Sequence, residues 1–184
     1  MKGFEVISAL RKFINKNDII VSSNGNISRE VYNILPKPQV YLRGSMGLPI
    51  AVGLGLAFTN PNKRIIVITG DGNFLMGLGS AITAAFYRPK NLKVLILDNA
   101  TYYTTGGQKN VSSAINFSRF FESLNIEYSS QETTQDPITH KLLAFLNSDA
   151  FYVLHLVIEG FKMDLTNIPW HPEEISKQIF VKLS

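Results

Sequence analysis

Continuous apolar runs alternate with segments of helical periodicity along most of the chain. The apolar runs predict strands at residues 18–23, 40–42, 64–69, 92–98, 126–128 and 151–158. The segments between them predict helices at residues 2–15, 28–35, 48–58, 74–87, 117–124 and 137–147. Strands that are apolar throughout are typical of a parallel sheet covered on both faces. The pattern therefore predicts a doubly wound α/β fold with a mostly parallel sheet of about six strands and helices on both faces.

The chain shows no internal repeat, low-complexity segment or linker, so we expect residues 1–184 to form a single domain. Its last part, residues 160–184, is predicted to be a tail with one short helix at 173–180. No stretch reaches the roughly 18 apolar residues that span a bilayer, and the start lacks the apolar centre of a signal peptide. We therefore expect a cytoplasmic protein that binds no membrane.

Charge and cysteine content exclude several classes of function. The net charge is +4, but Lys and Arg are scattered singly or in pairs, which disfavours nucleic-acid binding and leaves room for a small anionic ligand. The chain has no cysteine, so it holds no disulfide, iron–sulfur cluster or thiolate zinc site of its own.

Three predicted strands end in small and polar residues: SSNGN, GDGN and DNATYYTTGGQ. In doubly wound sheets, ligands bind beyond the carboxyl ends of the strands. Asp71 lies between two glycines where a helix begins, a position that favours phosphate although a bare carboxylate would repel it. A divalent cation between the carboxylate and the phosphates would resolve that conflict. The alternative is that Asp71 only caps the helix.

A second polar strand end strengthens the cation hypothesis. Asn99 follows Asp71 by 28 residues, about one strand–helix–strand unit, and Asp98 directly precedes it. Neighbouring parallel strands lie ~4.8 Å apart, so side chains at two strand ends can share one ion. A carboxylate, an amide and a backbone carbonyl are ligands of the kind that Mg²⁺ prefers.

The paired motif resembles a known family. GDG, followed one unit later by a strand ending in Asn-Asn or Asp-Asn, is the diphosphate-binding signature of thiamine-diphosphate enzymes. The segment GDGNFLMGLGSAITAAFYRPKNLKVLILDNATYYTTGGQ resembles it throughout, and its LDN…TGGQ ending is most similar to the sulfopyruvate and phosphonopyruvate decarboxylases. The resemblance covers roughly residues 1–160 and implies the thiamine-diphosphate-binding fold.

The resemblance implies a role for each matching residue. Mg²⁺ would be bound by Asp71, by the Asn99 side chain and by the Thr101 carbonyl, while Gly72 and Asn73 would donate to the diphosphate. Many members have Asn at the position of Asp98, which leaves Asn99 as the ligand. The full set implied to bind the cofactor is Asn24, Gly25, Gly44, Ser45, Met46, Gly70, Asp71, Gly72, Asn73, Asn99, Thr101 and Tyr103.

The turn GSMG also matches the family. Gly44 would accept a hydrogen bond from the 4'-amino group of the cofactor through its carbonyl, and Met46 would hold the cofactor in a V shape. A flexible two-ring molecule must be held folded if its amino group is to act as an intramolecular base. Without the resemblance, Met46 would more simply be a core-filling side chain.

The loop at residues 99–113 is the predicted substrate-facing segment. Its candidates for binding a second anionic group are Thr104, Thr105, Gly106, Gly107 and Gln108. The alternative is a loop that only a partner orders.

Family members activate the cofactor with a glutamate on a separate pyrimidine-binding domain. None of the glutamates of this chain lies in such a context: 5, 30, 122, 127, 132, 159, 173 and 174. We therefore expect a partner subunit, of the pyrimidine-binding (alpha) type, to supply it in a hetero-oligomer with at least two copies of each chain.

The resemblance implies a thiamine-diphosphate- and Mg²⁺-dependent decarboxylase of a small anionic 2-oxo acid, similar to sulfopyruvate decarboxylase. The alternatives are a beta-type subunit of a 2-oxoacid oxidoreductase, a subunit similar to acetolactate synthase or transketolase, and a non-catalytic regulator that binds thiamine diphosphate. A plain dinucleotide-binding domain is disfavoured because no G-x-G-x-x-G follows the first strand.

Overall fold

A central sheet is formed by apolar strands in the computed structural model, which describes residues 1–132, 138–161 and 163–183. The strands of this sheet are β1 (Ile19–Ser22), β2 (Val40–Tyr41), β3 (Ile65–Gly70), β4 (Leu92–Asp98), β7 (Glu127–Glu132) and β8 (Tyr152–Val157), while β5 (Thr101–Tyr102) and β6 (Gln108–Lys109) form a separate hairpin. Their order is β2-β1-β3-β4-β8-β7, and every neighbouring pair is parallel. The predicted six-stranded parallel sheet is confirmed.

Helices cover both faces of this sheet, as predicted. They are α1 (Gly3–Leu10), α2 (Asn26–Ile34), α3 (Pro49–Thr59), α4 (Asp71–Met76), α5 (Leu78–Tyr87), α6 (Phe117–Ser123), α7 (Ile138–Asn147) and α8 (Pro172–Leu183). Successive residues of one strand enter opposite cores: Ile66 and Ile68 pack with α1, α2 and α7, whereas Val67 packs with α3, α5 and α6. Burial on both faces explains why the strands are apolar throughout.

Several predicted bounds differ from the observed ones. GDGN is not a turn, because α4 begins at Asp71. The predicted helix at 74–87 breaks at Gly77, where any Cβ would overlap the carbonyl oxygen of Gly47. The last helix is longer than the predicted 173–180. Residue 137, the predicted start of the helix at 137–147, and residues 162 and 184 of the predicted tail lie outside the described residues.

The order of the strands places a crevice at their carboxyl ends. The chain leaves β1 for β2 on one side and then crosses to β3 on the other side, so the direction of winding switches between β1 and β3. Loops diverge at such a point and leave room for a ligand. No helix in the described part of the chain is long and apolar enough to cross a bilayer.

Candidate functional site

A cavity of about 190 Å³ lies where β1, β3, β4 and β8 end. The loops that follow these four strands supply most of its wall, and the three polar segments singled out in the sequence all contribute. Of the predicted cofactor-binding residues, those that line the cavity are Asn24, Gly25, Met46, Gly70, Asp71, Gly72, Asn73, Asn99, Thr101 and Tyr103. The fold therefore brings together ten residues that are dispersed between positions 24 and 103 of the chain.

Asp71 is a buried carboxylate in the first turn of α4. The N-cap residue of α4 is Gly70, so Asp71 is not the N-cap that the alternative makes it and instead lies in the first turn of the helix. One carboxylate oxygen of Asp71 accepts the Gly72 amide at 2.8 Å, and the other accepts Nδ2 of Asn110 at 2.7 Å. Burial, and then the neighbouring carboxyl of Asp98, raise the pKa of Asp71.

Asp98 is held by a buried hydrogen-bond network. Its Oδ1 accepts the Ala100 amide at 2.9 Å and the Ser112 hydroxyl at 3.0 Å, and its Oδ2 lies 2.9 Å from Nε2 of His155. The other ring nitrogen of His155 lies 2.8 Å from the Ser130 hydroxyl. Burial opposes ionisation of Asp98, but the bond to His155 and the other bonds outweigh it and hold its pKa below the usual value. Asp98 is therefore an anchor for the strand end.

Asn99 and Thr101 line the same cavity as Asp71. Oδ1 of Asn99 accepts the amide of Thr101 at 3.0 Å and its hydroxyl at 3.1 Å, which fixes the turn after β4. Among the described residues, no three His, Cys, Asp or Glu side chains gather into a metal-binding group. The predicted donor set is of another kind: one carboxylate, one amide and one backbone carbonyl. These hard oxygen ligands suit Mg²⁺ that is also bound by phosphate oxygens.

Two features of the cavity wall fit a diphosphate. The hydroxyl of Ser23 is buried with no hydrogen-bond partner among the described residues, so it is free to donate to a ligand oxygen. Gly25 precedes the first turn of α2 with φ of +83°, a conformation that side chains disfavour, and the amino end of α2 adjoins the cavity. Hydroxyls and helix amino ends are common phosphate donors.

Asn73 joins three loops of the site. Its Oδ1 accepts the amide of Gly47 at 3.0 Å, and its Nδ2 donates to Oδ1 of Asn24 at 2.9 Å. The GSMG turn is thereby tied to the loops after β1 and β3. Met46 lines the cavity, as its predicted role requires, whereas Gly44 and Ser45 are exposed and do not belong to the lining.

The loop after β4 contains an antiparallel hairpin of β5 (Thr101–Tyr102) and β6 (Gln108–Lys109). Three consecutive side chains of this hairpin, Tyr102, Tyr103 and Thr104, lie against Gly72, Gly160 and Gly25, respectively, where any added Cβ would come too close. Gly25 and Gly160 lie in the loops after β1 and β8, and Gly72 lies in the first turn of α4, after β3. The side chains of the hairpin therefore pack directly against glycine at these three positions of the cavity wall.

The predicted substrate candidates divide into two groups. Thr104 and Thr105 line the cavity. Gly106, Gly107 and Gln108 are exposed at the hairpin tip and do not line it. Oε1 of Gln108 accepts the Gly106 amide and the Thr105 hydroxyl, both at 3.1 Å, so this side chain supports the turn itself.

The residues that sequence reasoning missed include Ser23 and Glu30, which line the cavity, and Asn110, which donates to Asp71. The sequence gives Glu30 no context of an activating glutamate, yet this residue is only 5% exposed and lines the cavity. Burial raises its pKa from 4.5 to about 7. The sequence carries a partial signal, because Asn26 and Glu30 are four residues apart and share one face of α2.

Known proteins resemble this chain in sequence and in fold. The family model described as "Thiamine pyrophosphate enzyme, C-terminal TPP binding domain" matches residues 23–155. Phosphonopyruvate decarboxylase of Streptomyces viridochromogenes is 33% identical over 162 residues, which cover 86% of this chain and 41% of that protein. Sulfopyruvate decarboxylase subunit beta of Methanocaldococcus jannaschii is 41% identical over 109 residues, which cover 59% of this chain and 57% of that protein.

The matched region spans less than two thirds of either relative. A solved structure from Mycobacterium smegmatis, described as a thiamin diphosphate-dependent enzyme, superposes with a TM-score of 0.73 at 19% identity, covering 87% of this chain and 32% of that one. At this identity the match establishes the fold alone.

Proposed function

The chain belongs to the thiamine pyrophosphate enzymes, and from this premise we propose that it is the diphosphate-binding subunit of a thiamine-diphosphate- and Mg²⁺-dependent 2-oxo acid decarboxylase. One observation carries the proposal: Asp71, Asn99 and Thr101, from the ends of two paired strands, line a single cavity with the loop after β1. That arrangement suits a cation that bridges the protein and a diphosphate.

Each residue has a distinct part in this proposal. Asp71, Asn99 and Thr101 would hold the metal, Ser23 and the start of α2 would donate to the diphosphate, and Met46 would support the folded cofactor. When bound, the cofactor supplies a nucleophilic carbon and an electron sink, so that the bond between the ketone carbon and the carboxylate of the substrate can break and release carbon dioxide. The chain itself contributes orientation and exclusion of water.

We propose a substrate similar to sulfopyruvate, whose product would be sulfoacetaldehyde. The relatives named for sulfopyruvate and phosphonopyruvate support a 2-oxo acid with a second anionic group. The charged residues that line the cavity are Glu30, Asp71 and Glu159, and the lining includes no Lys or Arg among the described residues. Mg²⁺ would offset the charge of Asp71 but is already engaged by the diphosphate. The cation that recognises the second anionic group would therefore come from the partner.

A partner subunit is supported by the size of the cavity and by the surface beside it. Ligand sites usually enclose ~300–1,000 Å³, so a cavity of about 190 Å³ is small for a whole cofactor. Leu48 and Met76, next to the GSMG turn, are 48% and 63% exposed, and Phe86 on α5 is 79% exposed. Exposed apolar side chains of this size are typical of interfaces. We propose that a pyrimidine-binding subunit covers them and supplies the activating glutamate.

The test is co-expression of the chain with a candidate pyrimidine-binding subunit, followed by assay of 2-oxo acids with thiamine diphosphate and Mg²⁺. Release of carbon dioxide from sulfopyruvate by the complex, and none by either chain alone, is the expected result. Full activity of this chain alone would overturn the split site. Failure of the complex to bind thiamine diphosphate would overturn the function.

The same assay separates the alternatives. Electron transfer to an acceptor would indicate an oxidoreductase, and condensation of two 2-oxo acids an enzyme similar to acetolactate synthase. Cofactor binding without turnover of any 2-oxo acid would indicate a regulator.

A further inference from the structure

Glu30 is a buried carboxyl group at the cavity wall to which the proposed function assigns no role. It lies one turn after Asn26 on the cavity-facing side of α2. Its Oε2 is 3.5 Å from the position that a Cβ of Gly3 would take, and the same position is within 3.6 Å of Leu97 and Ile158 side-chain carbons. Apolar groups therefore adjoin the carboxyl group on this side, and Glu30 lines the cavity.

Glu30 makes no hydrogen bond or ion pair with the described residues, and its carboxyl oxygens, unlike the hydroxyl of Ser23, are not completely enclosed although the residue is only 5% exposed. Burying a polar group without a partner costs free energy, so nearly all such groups in folded proteins are bonded. The hydroxyl of Ser23 is a second partnerless buried group, and it lines the same cavity. Two such groups on one wall indicate that their partner is a ligand.

The charged groups around Glu30 explain which ligand chemistry it suits. Glu159 is bonded to the amino group of Met1 at 2.8 Å, the Lys2 ammonium lies 4.0 Å from the centre of the Phe161 ring, and Asp71 is bonded to Asn110. Glu5 accepts the Lys2 amide, and Arg29 is the neighbour of Glu30 on α2. Burial is the only cause of the raised pKa of Glu30, which means that no nearby cation stabilises its carboxylate.

We infer that Glu30 is a cofactor-positioning residue whose neutral carboxyl group donates a hydrogen bond to an oxygen of the bound diphosphate. This inference rests on the proposed function. A carboxylate would repel the diphosphate, whereas a neutral acid offers a donor. Glu30 would thus act beside Ser23 and the start of α2, on the side of the cavity away from the strand-end oxygens that hold the metal.

The experiment measures binding of thiamine diphosphate and of inorganic pyrophosphate, each with Mg²⁺, to the complex with its partner. Glu30→Met removes the donor and leaves an apolar side chain, so we expect affinity for both ligands to fall about 10- to 100-fold, the value of one hydrogen bond to a charged group. The melting temperature without ligand should stay the same or rise, because an unpartnered carboxyl is removed. Glu173→Gln, an exposed change on α8, is the matched control and should alter neither.

Glu30→Gln keeps a hydrogen-bond donor at this position but removes the group that ionises. Its amide still donates, so affinity below pH 7 should stay near that of the wild type. Above pH 7 the wild type must take up a proton to bind, so its affinity relative to Glu30→Gln should fall roughly tenfold per pH unit. Titration of Asp71 is common to both proteins and cancels in this ratio.

Two outcomes would overturn the inference. One is unchanged pyrophosphate affinity in Glu30→Met, which would remove Glu30 from the diphosphate site. The other is a loss of melting temperature that accompanies the loss of binding, which would indicate a structural role. Failure of the wild-type complex to bind either ligand would instead overturn the proposed function.

Discussion

Buried charges at the edge where the sheet strands begin are bonded by the protein, whereas at the edge where the strands end Glu30 has no partner among the described residues and two carboxyls lie side by side. Beside the start of β3, Arg64 donates to both oxygens of Asp18 at 2.7 and 3.0 Å and to the carbonyls of Phe13 and Leu146. The ammonium of Lys93 in β4 donates to three backbone carbonyls. Both cations on this edge therefore satisfy the buried oxygen acceptors that surround them.

At the carboxyl ends of the strands, some buried polar groups lack a partner or face a like charge. Glu30 and Ser23 have no partner among the described residues, and the carboxyls of Asp71 and Asp98 lie side by side. Like charges and unpartnered groups cost stability, and sites that bind ligands are where such costs are tolerated. The comparison separates charges that stabilise the fold from charges that await a ligand.

The largest expected effect is on the bonded edge. Arg64→Ala leaves Asp18, which is 2% exposed in its side chain, without its partner. Breaking a buried pair costs about 3–5 kcal/mol, and we expect the free energy of unfolding in urea to fall by that amount. The matched control is Lys90→Ala, whose pair with Asp149 is exposed and should contribute no measurable stability. Equal, small effects of both variants would contradict the comparison.

On the open edge, Glu30→Gln should increase stability at neutral pH. The pKa of Glu30 is raised from 4.5 to about 7, so the folded state binds its proton more tightly than the unfolded state. This tighter binding stabilises the folded state. The stabilisation is fully present below pH 4.5 and is lost as pH rises to about 7, which changes the free energy of unfolding by about 3 kcal/mol. Urea unfolding of both proteins at several pH values measures the difference. It should be near zero at pH 4 and favour the variant at pH 8; a difference independent of pH would contradict the assignment.

Asp71→Asn should separate binding from stability. Loss of the one predicted carboxylate ligand should weaken Mg²⁺-dependent binding of thiamine diphosphate by about 100-fold or more, measured by calorimetric titration of the complex. The free energy of unfolding should stay the same or rise, because the repulsion between Asp71 and Asp98 is relieved. Asp164→Asn, an exposed change, is the control. Unchanged binding in Asp71→Asn would remove Asp71 from the metal site.

Gly72→Ala should have the smallest effect on stability. Its Cβ would overlap the ring of Tyr102, which is 36% exposed and free to move outward. We expect a change of less than about 1 kcal/mol in the free energy of unfolding and faster proteolysis within the hairpin at residues 101–109. Gly79→Ala, where a Cβ meets nothing within 4 Å, should leave the proteolysis rate unaltered. Equal proteolysis in both variants would show that the hairpin does not depend on Gly72.

Much of the fold was predictable because its signals are local. Runs such as RIIVIT and LKVLILD identify buried parallel strands, and the polar residues after them mark the ligand edge. The break at Gly77 was not predictable, because it depends on the close approach of Gly47, 30 residues earlier. Composition alone makes the hairpin tip a candidate for binding the substrate. Whether the tip lines the cavity depends on how the hairpin lies across it, which no local pattern shows.

The amino-acid sequence by itself determined the alternation of strands and helices, the parallel sheet and the position of Asp71 and Asn99 at strand ends. Each of these follows from patterns within a few residues, which backbone geometry translates directly into structure. Only the tertiary structure decided that Glu30 is buried, that Ser23 lacks a partner and that Asp98 is an anchor held by His155. These properties depend on which distant groups exclude water or donate a hydrogen bond, and no local pattern specifies them.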